Sequence, residues 1–104
     1  MSKHEIPSYQ DEKLTHKERI DIMVKDLVSI NQKTSKAIAD SGAGSEPALL
    51  QMGRAQKIVE NIKKNWYLHQ GELGDMFDHE EIMRALCISY SNVAIIQQQK
   101  RNYV

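Results

Sequence analysis

The sequence predicts an all-α protein. Three long antiparallel helices, at about residues 15–40, 46–70 and 78–101, form a three-helix bundle unit completed by oligomerisation. Three observations lead there. Apolar residues recur every three to four positions through most of the chain. Glycine-containing segments break that period twice, at 41–45 and 71–74. A helix-start pattern follows each break.

Residues 1–14 mix charge, Pro7 and Ser8 with scattered apolar groups and present no face to bury, so they are expected to form a flexible arm. Residues 15–104 then make one helical domain. Thr15 and Glu18 have the spacing of a capping box, the Thr15 hydroxyl accepting from the amide at N3 and Glu18 reaching back to the Thr15 amide. From there Ile20, Met23, Val24, Leu27, Val28, Ile30, Ala37 and Ile38 follow helical spacing, with Asn31 at the centre of their face between Leu27 and Thr34. A buried asparagine at such a position can fix register or oligomeric state.

Ser41-Gly42-Ala43-Gly44-Ser45 turns the chain back, and Pro47 suits the first turn of a second helix because its missing N–H is needed by nothing there. Ala48, Met52, Ala55, Ile58, Val59, Ile62 and Trp66 share one arc of that helix, which Gly71 and Gly74 are expected to close. For the third helix, Asp78 with Glu81 reads as a second capping box, and Phe77 with Ile82 as a hydrophobic staple. Lys100 and Arg101 suit the negative end of its dipole. Each helix is roughly 36–39 Å long at 1.5 Å per residue, and the short connections make neighbours antiparallel.

Length and charge narrow the function classes. A chain of 104 residues builds one modest core. Fourteen basic and fourteen acidic side chains cancel, which removes the general attraction of nucleic-acid and anionic-membrane binders. No apolar run reaches the 18 residues a membrane span needs, and the N-terminus carries no secretory pattern. A single cysteine, Cys87, fits a reducing compartment, and the expected location is cytoplasmic.

Residues 85–96, ALCISYSNVAII, stand out in a chain whose mean hydropathy is −0.57. On a helical wheel Ile82, Ala85, Leu86, Val93 and Ile96 share the face that packs on the other two helices. Met83, Cys87, Tyr90 and Ala94 are left on one flank, and Ile88 and Ile95 on the other. A helix apolar nearly all round is buried on more than one side. These six residues are therefore the expected interface of a homo-oligomer, a dimer first, since a twofold axis lets one patch complement itself. The alternative is that helices 1 and 2 straddle helix 3 while Ile6 and Tyr9 cover the remainder.

Catalytic and metal-binding patterns are weak. His69, Asp75, Asp78, His79, Glu80 and Glu81 gather near the second connection, but without H-E-x-x-H, C-x-x-C or a histidine pair at i, i+4, and Glu80 with Arg84 fits an ordinary ion pair. Cys87 has only Arg84 as a nearby cation. The SGAGS turn lacks the strand and lysine of a phosphate loop. No cofactor or metal is implied, and the expectation is a non-enzymatic interaction or regulatory protein that self-associates and binds another macromolecule. The alternative is a nucleic-acid-binding regulator: Arg54, Lys57, Asn61 and Lys64 line the outer face of helix 2, and residues 41–70 carry four basic groups against two acidic ones. The same stripe, doubled by an oligomer, could hold an anionic small ligand between subunits.

Overall fold

A computed structural model describes residues 13–102 and the side chains of residues 13–99. Most of the expected N-terminal arm lies outside the described residues, as do the side chains of Lys100 and Arg101. The described chain is all-α, with four helices: α1 at His16–Ser41, α2 at Glu46–Leu68, the single-turn α3 at Gln70–Leu73 and α4 at Glu80–Asn102. A 3-10 turn, Met76–Asp78, precedes α4, and no strand occurs among the described residues.

The N-terminus of α1 is the predicted capping box. The Glu18 amide donates to Thr15 Oγ1 at 3.1 Å, and the Thr15 amide donates to Glu18 Oε1 at 2.8 Å. Gly42 ends the helix at φ +98°, a backbone region that side-chain-bearing residues disfavour, and its amide donates to the Ile38 carbonyl. Ser45 caps α2 by accepting from the Ala48 amide at 3.3 Å while its own hydroxyl donates to the Gly42 carbonyl at 2.7 Å.

Two boundaries differ from expectation. The second helix ends at Leu68, and α3 forms a separate turn after His69. The Trp66 indole Nε1 donates to the Gly74 carbonyl at 2.8 Å and ties the segment after His69 back to α2. Gly74, at φ +83°, terminates α3. The last helix begins at Glu80, two residues later than expected, and the proposed Asp78–Glu81 box does not form. Asp75 instead accepts from the Phe77 amide at 3.0 Å and nucleates the 3-10 turn. Phe77 is 75% exposed, so it does not staple onto Ile82.

Cross-helix contacts fix the running directions. The Asn31 amide reaches Ala85 and the Ser35 hydroxyl reaches Asn92, so α1 and α4 run the same way. His16 stacks on His69, and Lys63 meets Tyr90, so α2 runs against both. The core at their meeting is built from Ile20, Leu27, Val59, Ile62, Trp66, Ile82 and Leu86, all buried. Leu73 and Met76 from the connection close its lower end. Fully burying such a side chain contributes about 1.5–3 kcal/mol, so α4 is held chiefly by Ile82, Ala85, Leu86 and Ile96.

Candidate functional site

The face of α4 turned to the protein is not the purely apolar one that its sequence suggests. Ser89 and Asn92 are buried along with Ile82, Ala85, Leu86 and Ile96. Opposite them on α1, Asn31 and Thr34 are buried too. Asn31 Nδ2 donates to the Ala85 carbonyl at 3.0 Å, Asn92 Nδ2 lies 3.5 Å from the Asn31 carbonyl, and the Thr34 hydroxyl is turned onto its own helix at Ile30. A polar layer thus crosses the α1–α4 contact. Asn31 Oδ1 is fully buried and has no hydrogen-bond partner among the described residues, which costs on the order of 1–3 kcal/mol.

The apolar residues expected on the flanks of α4 are found there, with one exception. Ile88, Tyr90 and Ile95 are 43%, 49% and 48% exposed, and Cys87 and Ala94 are exposed as well. Met83 differs: it is half-buried and packs against the core. The two flanks of α4 have different surroundings. On the α2 side, Lys63 Nζ donates to the Tyr90 hydroxyl at 3.2 Å and lies 5.8 Å from the centre of its ring. That hydrogen bond, followed by the charge interaction with Tyr90, holds the Lys63 ammonium above the usual lysine range. Tyr90 is therefore engaged with α2.

On the α1 side, Ile88 and Ile95 have no polar tether. Ile88 and Val28 of α1, itself 43% exposed, form the facing walls of a shallow groove of about 410 Å³ whose rims carry Lys25 and Glu81. The same two walls continue into a second depression floored by Asn31 and edged by Gln32 and Ser35. Val28 was expected on the inner face of its helix. Its exposure results from α4 lying over Val24 and Asn31 and stopping short of covering Val28.

The basic stripe is formed as expected: Arg54, Lys57, Asn61 and Lys64 are all exposed on the outer face of α2. None of them takes part in the three ion pairs found among the described residues, Lys17–Asp21, Lys36–Asp40 and Arg84–Glu80. Leu50 and Leu68, also exposed, extend the same stripe at both ends, a feature that reading the helix by its buried arc leaves out.

The titratable cluster near the second connection is dispersed. His79 sits edge-on to Trp66 at 4.8 Å, and His69 is stacked on His16 at 3.4 Å. Among the described residues no three His, Cys, Asp or Glu side chains are placed to hold a metal ion. Among the same residues no helix is long and apolar enough to cross a membrane. No protein-family model, curated protein or solved structure matches the chain.

Proposed function

We propose that this protein is a non-enzymatic interaction protein that self-associates through the outer flanks of α4 and, once assembled, binds and regulates another macromolecule. In this reading the three long helices are a bundle unit that a second copy completes. The observation that carries it is the exposure, along one helix and its neighbour, of Val28, Ile88, Tyr90 and Ile95 while Ser89 and Asn92 occupy the interior. A helix that sends serine and asparagine inward and isoleucine outward has a second environment for the isoleucines.

The test is molar mass in solution by light scattering, at about 10 to 200 µM protein and at low and high salt. A multiple of 11.9 kDa that is indifferent to salt is expected. Ile88→Lys with Ile95→Lys is expected to reduce it to the monomer mass without loss of helicity. A wild-type monomer throughout would remove the proposal.

A second reading rests on Arg54, Lys57 and Lys64, which are exposed and form no ion pair among the described residues. On that reading the protein binds nucleic acid through α2. Affinity for a duplex would then fall steeply with salt, and Lys57→Glu with Lys64→Glu would abolish it. The acidic residues from Glu72 to Glu81 count against a duplex lying near that end of the stripe.

A further inference from the structure

We infer that the partner surface is the α1-side flank of α4, and that it pairs with the same flank of a second copy in antiparallel orientation about a twofold axis at Ser91. This rests on the self-association proposed above and adds to it the flank, the direction and the register.

Arg84, Ile88, Ser91, Ile95 and Gln98 are all exposed on one stripe of α4, three or four residues apart, which is the spacing of a seam between two helices. Counted from Ser91, they sit at −7, −3, 0, +4 and +7. Read backwards the stripe has nearly the same pattern: a long polar residue, isoleucine, serine, isoleucine, a long polar residue. An antiparallel pair related by a twofold meets itself in that reversed order. Ile88 then comes within one residue, about 1.5 Å along the axis, of the level of Ile95 of the second copy, Arg84 faces Gln98, and the smallest side chain of the five lies on the axis, where the two backbones come closest.

Charge selects the direction. A parallel pair in register sets Arg84 against Arg84 and the acidic first turn, Glu80 and Glu81, against its own copy. The antiparallel pair replaces both like-charge contacts, since Gln98 can accept from the Arg84 guanidinium and the acidic first turn comes beside the last turn, whose sequence is Lys100-Arg101. The opposite flank is the weaker choice because Tyr90 is tethered to Lys63 and Met83 is packed inward. Val28 adjoins Ile88 and extends the apolar strip onto α1.

The geometry is read by cysteine cross-linking in a Cys87→Ser background, which leaves one introduced thiol per chain. Each variant is first weighed under reducing conditions, so that loss of the dimer is seen separately from loss of the register. Ser91→Cys is expected to form a disulfide-linked dimer on mild oxidation. Arg84→Cys is expected not to link to itself, because its two copies are roughly 21 Å apart along the helix axis at 1.5 Å per residue. Mixed with Gln98→Cys, it is expected to give the cross-linked heterodimer.

A dimer in which Arg84→Cys links to itself as readily as Ser91→Cys means a parallel seam. A dimer in which neither links, while the native Cys87 does in the wild type, places the contact on the other flank. Each of these overturns the inference and leaves self-association standing. A monomer mass for the wild type overturns both.

Discussion

Asn31 is the residue at which local chemistry and fold are most at odds. It occupies the centre of an apolar stripe, is 3% exposed, satisfies its amide nitrogen at Ala85 and leaves its oxygen without a partner among the described residues. Leucine has nearly the same shape and no such oxygen. Asn31→Leu is therefore expected to raise stability by about 1 kcal/mol in urea unfolding, because the orphaned oxygen is removed and the Ala85 carbonyl lies within α4, where an intrahelical amide can serve it. A loss of more than about 2 kcal/mol would show that the polar layer stabilises as well as orients. Its position on the apolar face was legible from the sequence. The orphaned oxygen was not, since hydrogen-bond satisfaction depends on which carbonyl the neighbouring helix presents at that height.

At the scale of the element, helix starts were legible where the cap is local and not where tertiary contact competes with it. Thr15 and Ser45 cap as their sequences dictate, because donor and acceptor lie within four residues and nothing pulls the chain elsewhere. Asp78 has equally good local spacing, yet the Trp66–Gly74 hydrogen bond draws the preceding segment into a 3-10 turn and leaves Asp78 exposed. The two cases can be compared directly. Thr15→Ala is expected to cost about 1 kcal/mol, within the usual 0.5–2 kcal/mol of a lost cap. Asp78→Ala is expected to stay within about 0.5 kcal/mol of wild type, as a surface change does. Equal losses from both would mean that α4 starts at Asp78 in solution.

For the molecule as a whole, one core is shared by α1, α2 and α4, with Trp66 buried at its lower end against the connection that leads into α4. Unfolding is accordingly expected to be a single cooperative transition, with far-ultraviolet circular dichroism and the fluorescence of Trp66, the chain's one tryptophan, giving the same midpoint. If fluorescence changes first, α4 and the connection detach before α1 and α2 separate. The outward isoleucines bear on the same experiment, since a protein stabilised by its second copy has a midpoint that rises with concentration.

The sequence by itself determined the helical class, the three long amphipathic segments, the cap at Thr15, the helix start around Pro47 and the basic outer face of α2, because each depends on residues within a turn or two of one another. The wheel of α4 also placed Ile82, Ala85, Leu86 and Ile96 inward and left Ile88 and Ile95 on a flank. Only the tertiary structure decided that Ser89 and Asn92 are buried among those inward residues, because Asn31 and Thr34 of α1 lie opposite them and polar groups there meet polar groups. It alone also left Val28 exposed beside Ile88, since that depends on how far α4 extends over α1.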